Sequence, residues 1–101
     1  LQRFVELTSA GPQRVFGLAD KGRIAEGYHA DFTVVDLKRK ETITEEWSKS
    51  KCGWTPYDGF EATGWPVATI IRGGFVMRDG EIVKKGGGQP VRFNETLEPM
   101  G

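Results

Sequence analysis

The sequence predicts a mainly β domain with short helices at its N-terminal end. Two glycine-containing pairs, Gly73-Gly74 and Asp79-Gly80, separate short apolar segments, a pattern typical of tight β-hairpins. Residues 31–37 form a β-branched apolar run between acidic ends, which favours a strand. Fourteen glycines and five prolines indicate a turn-rich chain, and 101 residues are enough for one domain.

Helical spacing is confined to the beginning of the chain. The apolar side chains of residues 1–9 recur with the i, i+3, i+4, i+7 spacing of a helix. Ala10-Gly11-Pro12 is expected to break this helix, with Pro12 as the first residue of a second short one. Gly17 is expected to end the second helix with a positive φ angle.

Strand patterns follow Lys21. Residues 23–25 predict a short strand that ends at a Glu26-Gly27 turn. Residues 31–37 are apolar on both faces, which predicts a central strand. Residues 40–44 alternate and are expected to pair with that strand nearer an edge of the sheet. A three-stranded meander is predicted over residues 66–72, 75–78 and 81–84.

A long loop interrupts the strands. Thr44 is expected to cap a single helical turn at residues 45–47, and residues 48–64 then form the loop. Loops of this length are typically functional or packed on a partner. Its aromatic side chains could stack on a ligand or plug against a neighbouring domain, and we favour the second interpretation. They are Trp54, Tyr57 and Phe60.

Composition excludes several classes of function. Fourteen basic and fourteen acidic residues give zero net charge without a basic stripe, which argues against nucleic-acid binding. The apolar runs are too short for a signal peptide or a membrane span. A single cysteine forms no internal disulfide, which fits a reducing, cytoplasmic location. The chain begins with Leu1 rather than methionine, so we expect it to be part of a longer gene product.

Few residues could carry chemistry. The one histidine, His29, and the one cysteine, Cys52, lie 23 positions apart in separate turns. They do not supply the three ligands of a catalytic zinc site, and their separation does not suggest a nucleophile with its base. We interpret His29 as a turn residue and Cys52 as an inert thiol in a structured loop.

The carboxylates also point to structural roles. Asp31 is expected to accept hydrogen bonds from backbone amides of the turn before it. Four acidic residues mark strand ends and turns, with nothing to place two of them across a pocket, namely Asp20, Glu26, Asp31 and Asp36. The sequence thus predicts no catalytic, metal-binding or substrate-binding residue.

The C-terminal residues predict a tail. Gly86-Gly87-Gly88 lacks the lysine–hydroxyl pair of a phosphate-binding loop, so we interpret it as a linker. Arg92 to Gly101 is expected to be a loosely held arm. The glycosylation motif Asn94-Glu95-Thr96 carries no information without a secretory signal.

Three stretches carry a resemblance to a known family. Residues 5–18, VELTSAGPQRVFGL, resemble the last helices of amidohydrolase-superfamily enzymes. Residues 21–36 are similar to the glycine–isoleucine–glycine–alanine–aspartate pattern with which those chains leave the barrel and re-enter a small β-sandwich. Residues 48–59 look most like the corresponding loop of dihydroorotases. The resemblance covers roughly residues 1–85.

The resemblance implies a fold. The chain would be the C-terminal part of the composite β-sandwich that flanks a (β/α)₈ barrel, with the barrel itself absent. Residues 1–19 would be the last helices of the barrel, residues 20–85 the sandwich portion with its hairpins, and residues 86–101 a flexible tail. Because the family's sandwich also uses strands from the beginning of the chain, we expect open strand edges and an open sheet face here.

The resemblance also implies an activity for the parent protein. A dihydroorotase reversibly hydrolyses dihydroorotate to carbamoyl aspartate in pyrimidine biosynthesis, with zinc activating a water at the mouth of the barrel. All ligands of that zinc lie upstream of the matched region, so this chain is expected to hold no cofactor and to be inactive alone.

Other interpretations stay open. The parent could act on another cyclic amide, as hydantoinases, dihydropyrimidinases and allantoinases do. It could be a non-catalytic dihydroorotase-like scaffold partner of aspartate transcarbamoylase. A free-standing β domain that binds a ligand with its aromatic loop is the third class. The expected partners are the missing barrel, a second copy or aspartate transcarbamoylase, with neither nucleic acid nor membrane.

Overall fold

The computed structural model describes residues 1–94 of the chain, and a four-stranded antiparallel sheet with strand order β1-β2-β3-β4 dominates it. A helical segment precedes the sheet. The mainly β class with short N-terminal helices is therefore confirmed. The strands are β1 (Phe32–Thr42), β2 (Glu61–Ile71), β3 (Gly74–Arg78) and β4 (Glu81–Ile82).

The helical segment runs without a break, so the predicted interruption at residues 10–12 is wrong. A π-helical stretch allows this continuity, because the N–H of Gly11 donates to the carbonyl of Glu6, five residues back. The wider turn accommodates Pro12, whose ring would clash with the i−4 carbonyl of a regular α-helix. The parts are α1 (Gln2–Val5), the π-helical stretch (Glu6–Ala10) and α2 (Gly11–Phe16).

Three glycines turn the chain between the helices and the sheet. Gly17 ends α2 with a φ of 64°, as predicted. Gly22 and Gly27 have φ angles of 85° and 83°. The strand predicted at residues 23–25 is wrong, because this short stretch between two left-handed glycines finds no strand to pair with in the described chain.

Strand β1 differs from its prediction in two respects. Residues 40–42 continue β1 instead of forming a second strand that pairs with it. A register shift between Asp36 and Lys40 sets three residues, 37–39, opposite Gly64. This bulge disturbs the alternation of the sequence, which is why one strand was predicted as two. In the described sheet β1 pairs with β2 alone and is an edge strand, not a central one. Its apolar residues on both faces stay largely exposed as a result.

The hairpins follow the predicted meander closely. The β2–β3 turn is Arg72-Gly73, one residue before the predicted pair, and its φ angles are 49° and 81°. Asp79-Gly80 forms the next turn as predicted, with φ angles of 50° and 82°. Positive φ at both central residues is what a type I′ turn requires. β2 begins earlier than predicted because the extension of β1 pairs with it, and β4 ends at Ile82.

The core of the described chain is small. Its fully buried apolar residues are Ala19, Trp65 and Ala68, while twenty large apolar side chains are exposed. The accessible surface is 8192 Å², against about 5,700 Å² for a compact monomer of this mass. The radius of gyration is 16.2 Å, where about 13 Å is typical for this length. Among the described elements, the helical segment packs on no strand.

After β4 the chain returns to the end of the helical segment. Residues 83–91 form no helix or strand. The N–H of Ala19 then donates to the carbonyl of Arg92 at 2.8 Å, and the N–H of Asn94 donates to that of Gly17 at 2.7 Å. Leu18 and Phe93 form an antiparallel bridge between them. The beginning of the predicted arm is thus paired, and residues 95–101 lie outside the described residues.

Candidate functional site

A polar network joins the start of β1 to the β2–β3 turn. Asp31 Oδ1 accepts a hydrogen bond from the backbone N–H of Arg72 at 2.8 Å. Its Oδ2 forms an ion pair with Lys21 Nζ. Beside it, the N–H of Gly73 donates to the carbonyl of Ala30 at 2.9 Å. Asp31 has the predicted structural role. Its donors, however, are the Lys21 ammonium group and the Arg72 amide of a distant hairpin turn, not the amides of the turn before it.

The environment of Asp31 keeps it ionised. Burial acts to raise its pKa, but the hydrogen bonds from Lys21 and the Arg72 amide, together with the nearby positive charge, hold the pKa below its ordinary value of 3.8. A general acid or base for neutral pH needs a pKa near 7. Asp31 is therefore suited to tying two segments together and unsuited to proton transfer.

His29 lies just before this network and is held by its backbone. Its N–H donates to the carbonyl of Asp20 at 2.8 Å, and its carbonyl accepts from the N–H of Asp31 at 3.0 Å. The ring Nδ1 is buried without a hydrogen-bond partner among the described residues. In residues 1–94 no three His, Cys, Asp or Glu side chains come close enough to hold a metal ion. The residues present do not fit a zinc centre.

Cys52 is exposed in the loop between β1 and β2. Its Sγ lies 3.0 Å from Ser50 Oγ and 3.6 Å from the carbonyl oxygen of Trp54, to which it donates. The hydrogen bond with Ser50 is the main cause that lowers the pKa of the thiol. Neither partner is a base of the kind that activates a cysteine nucleophile.

The loop between β1 and β2 is fastened at its base. The N–H of Ile43 donates to the carbonyl of Phe60 at 2.9 Å, and the N–H of Gly59 donates back to the carbonyl of Ile43 at 2.8 Å. Asp58 Oδ1 accepts from the N–H of Glu45 at 2.9 Å. These bonds extend the β1–β2 ladder beyond the strands and fix how the loop leaves the sheet.

The aromatic side chains of this loop divide into two groups. Thr44 Oγ1 accepts from the N–H of Trp47 at 3.1 Å, which confirms the predicted cap. The Trp47 ring packs on that of Trp65, with 5.0 Å between centroids. Tyr57 and Phe60 meet edge to face at 6.5 Å. Three rings stay mostly exposed, those of Trp54, Tyr57 and Phe60.

None of these aromatic side chains lines the depression found near the base of the loop. That depression of about 240 Å³ is bounded by Lys40, Glu41, Thr42 and Glu61. This depression is thus not a place where the exposed rings would stack on a small ligand. Packing against a neighbouring domain stays a prediction.

Sequence reasoning missed the partners of Asp31. Lys21 and Arg72 lie 10 and 41 positions away, beyond the reach of any helical or strand period. One signal was available, because a tight hairpin turn leaves backbone N–H groups that need an acceptor from elsewhere. That rule indicates that an acceptor exists without identifying Asp31.

Comparisons with known proteins give relatives for most of the chain. The profile of the amidohydrolase family matches residues 1–83. A dihydroorotase from Methanothermobacter thermautotrophicus is 55% identical over 76 residues, which are 75% of this chain and 18% of that protein. A D-phenylhydantoinase from Escherichia coli is 38% identical over 102 residues, covering 99% of this chain and 22% of that protein.

The fold has solved counterparts as well. An L-hydantoinase (dihydropyrimidinase) from Arthrobacter aurescens superposes with a TM-score of 0.78 at 33% identity, over 83% of this chain and 19% of that one. The chain therefore spans about a fifth of the length of the proteins it matches. In residues 1–94 there is no helix of the length and hydrophobicity needed to cross a membrane.

Proposed function

The chain belongs to the amidohydrolase family, and we propose that it is the non-catalytic C-terminal part of a cyclic amidohydrolase, with dihydroorotate as its substrate. The observation that carries this proposal is the 55% identity to a dihydroorotase over three quarters of the chain. The resemblance of residues 48–59 to the loop of dihydroorotases supports the same substrate.

The described contacts support a bracing role for this part of the protein. Asp31 is occupied by Lys21 and the Arg72 amide. Residues 1–94 bring together no metal-ligating trio. Zinc in the parent enzyme, which the family resemblance implies, would be held by residues outside this chain and would supply an activated water there. This chain would contribute its sheet and its helical segment to support that barrel.

A second substrate class is favoured by other relatives. The solved structures that superpose on the chain include an L-hydantoinase, and a D-phenylhydantoinase aligns over nearly its full length. Hydantoins and dihydropyrimidines are cyclic amides too, so the reaction type would be unchanged. We rank dihydroorotate first because the identity to the dihydroorotase is higher, at 55% against 38% and 33%.

The decisive assay uses the full-length protein. Purified enzyme is offered dihydroorotate, hydantoin and dihydrouracil in parallel, and ring opening is followed by the loss of ultraviolet absorbance. The proposal predicts turnover of dihydroorotate with the highest kcat/KM. A preference for hydantoin or dihydrouracil would move the substrate to the second class, and no turnover of any cyclic amide would overturn the enzyme assignment.

Two variants test whether this chain supplies chemistry. His29→Gln and Cys52→Ser remove the imidazole and the thiol while conserving size. In the full-length enzyme both are expected to keep kcat within about twofold, because neither side chain is placed at a reacting centre. A 100-fold or larger loss of kcat, the typical effect of removing a general acid–base group, would show that the chain contributes to catalysis.

A further inference from the structure

We propose that residues 92–94, here called the strap, close over the end of the helical segment and open as a unit while the Asp31 network stays closed. The closed strap is held by two backbone hydrogen bonds, from Ala19 N–H to the Arg92 carbonyl at 2.8 Å and from Asn94 N–H to the Gly17 carbonyl at 2.7 Å. This inference concerns a conformational device of the chain and does not depend on which cyclic amide the protein hydrolyses.

The strap completes the hydrogen bonding at the end of the helical segment. The N–H and the carbonyl of Leu18 are both bonded to Gln13, through its backbone carbonyl and its side-chain amide. Among residues 1–94 the Gly17 carbonyl and the Ala19 N–H find their partners in the strap. Ala19 is only 5% exposed, and a buried N–H needs an acceptor. Opening of the strap therefore has to bring this part of the chain into contact with water.

The segment before the strap, residues 85–91, allows the strap to leave and return. These residues are exposed and form no hydrogen bond within residues 1–94. Gly86 and Gly87 have φ angles of 74° and 85°, in a region that glycine enters without strain. A flexible linker of about seven residues spans roughly 15 Å, and it keeps a tethered segment at a millimolar effective concentration near its binding position. The strap can thus open and close while β4 stays paired.

The strap is held less firmly than the other tie of the junction. Two neutral backbone hydrogen bonds favour the closed state by about 5- to 150-fold. The residues of the strap are exposed, so closing it adds little burial. In the Asp31 network, by contrast, the carboxylate is bonded to Lys21 and to the Arg72 amide. Hydrogen bonds to charged groups are roughly twice as strong as neutral ones, so the strap is expected to open first.

The strap controls how firmly the end of the helical segment is coupled to the sheet. Helix α2 ends at Phe16, and the strap bonds to Gly17 and Ala19 directly after it. Among the described elements no strand packs on the helical segment. The closed strap connects the end of α2 to the chain that leaves β4, separately from the Asp31 network. When the strap opens, the end of α2 loses this tie while the network still holds the start of β1.

The first experiment measures hydrogen exchange of the full-length protein, resolved to single amides by mass spectrometry. The Ala19 and Asn94 amides are expected to have the same protection, because one opening event exposes both. The Arg72 and Gly73 amides are expected to exchange at least about tenfold more slowly, since local openings of different stability exchange independently. Unequal protection of Ala19 and Asn94, or protection of all four amides to the same degree, overturns the proposal.

A pair of variants at one position then tests the bonds of the strap. Asn94→Pro removes the N–H that donates to Gly17, whereas Asn94→Ala keeps it and removes only the side chain. Proline suits this position because Phe93 before it is extended in the bridge with Leu18. Asn94→Pro is expected to speed exchange at Ala19 at least about fivefold, and Asn94→Ala less than about twofold. Equal exchange at Ala19 in the two variants contradicts the proposal.

Ending the full-length protein at Lys85 removes the strap completely. The Ala19 amide is then expected to lose the protection that the strap provides, while exchange at Arg72 and Gly73 changes less than about twofold. Unchanged exchange at Ala19 would show that the strap does not protect it. Equal acceleration at Ala19, Arg72 and Gly73 would show that the removed residues stabilise the whole fold, and either result overturns the proposal. None of these measurements uses turnover, so this inference and the proposed function can fail separately.

Discussion

The helical segment and the junction that follows it hold their conformations in different ways. Between Gln2 and Phe16 the backbone bonds run within the helix, and none of its residues is buried. The junction, residues 17–31, is tied to remote parts of the chain: Ala19 to Arg92, and Asp31 to Arg72. It also contains the buried Ala19.

The difference shows which region can stand alone. A helix of about fifteen residues is marginal in water without tertiary packing, so the helical segment needs an apolar cover that residues 1–94 do not provide. The junction has its own long-range bonds, and its order is set within the chain. Substitutions at the contact between the two regions are therefore expected to have the largest effects.

Gly22 is the point where the junction meets the helical segment. Its φ is 85°, and a Cβ there would lie 2.7 Å from both the Ser9 carbonyl oxygen and Gln13 Cβ. Gly22→Ala is expected to destabilise by about 3 kcal/mol, from a left-handed backbone plus overpacking. The control is Gly27→Ala. Gly27 has a φ of 83°, but a Cβ built there would have no neighbouring atom within 4 Å, so the free energy of unfolding is expected to fall by about 1 kcal/mol.

The measurement for this pair is urea unfolding of the full-length protein, followed by tryptophan fluorescence. If Gly22→Ala and Gly27→Ala lower the free energy of unfolding equally, the close contact of Gly22 with the helical segment does not contribute to the effect of its substitution.

Asp31→Ala removes the acceptor that ties the junction to the β2–β3 turn. A hydrogen bond to a charged group contributes about 1.5–3 kcal/mol, and a loss of about 2 kcal/mol is expected. The signature is faster hydrogen exchange at the Arg72 and Gly73 amides in the full-length protein. Asp36→Ala is the control, since that exposed carboxylate accepts a hydrogen bond from the nearby Lys38 N–H, and it should leave Arg72 and Gly73 protected.

Gly11 tests the π-helical stretch inside the helical segment. Ala in place of Gly usually stabilises a helix by up to about 1 kcal/mol. Here a Cβ would clash with the Glu6 carbonyl oxygen, so Gly11→Ala is expected to lower the free energy of unfolding by about 1 kcal/mol. Thermal unfolding of the full-length protein shows whether Gly11→Ala raises or lowers the Tm. Gly88→Ala, with open space around it, should be close to neutral, and a raised Tm for Gly11→Ala would contradict the contact.

The smallest expected effect is the pH dependence of the stability that Asp31 contributes to the junction. The pKa of Asp31 in the folded chain lies below its ordinary value of 3.8, because the Lys21 and Arg72 contacts outweigh its burial. Its contribution to stability is therefore present above pH 3.8 and is lost as the pH falls through the folded-state pKa. Asp31→Asn keeps one acceptor but does not titrate. The difference in unfolding free energy between wild type and Asp31→Asn should shrink below pH 4, and a constant difference would contradict the assignment.

Turns and helix ends that depend on the conformational preference of one or two residues could be predicted from the sequence. Asp79-Gly80 and Gly17 were correctly predicted because only certain residues adopt positive φ easily. The predicted break before Pro12 failed because a π turn can absorb a proline, and nothing in the residue types announces that turn. Splitting β1 into two strands failed because the bulge at residues 37–39 disturbs the alternation on which the prediction depended.

The candidate site was less predictable than the fold. The role of Asp31 could be predicted from its place before a strand, but Lys21 and Arg72 become its partners only through tertiary folding. The apolar residues on both faces of β1 suggested a central strand, whereas the described sheet leaves one edge open. A pattern of burial in the sequence reflects every neighbour of a strand, and in residues 1–94 the only strand beside β1 is β2.

Hydrogen exchange of the isolated 101-residue chain, compared with the same segment in the full-length protein, tests the central claim most directly. The account predicts that the amides of residues 2–16 exchange almost without protection in the isolated chain and become protected in the full-length protein. It also predicts that the Arg72 and Gly73 amides are protected in both. Equal protection of residues 2–16 in the two samples would show that the helical segment needs no cover, and would contradict the account.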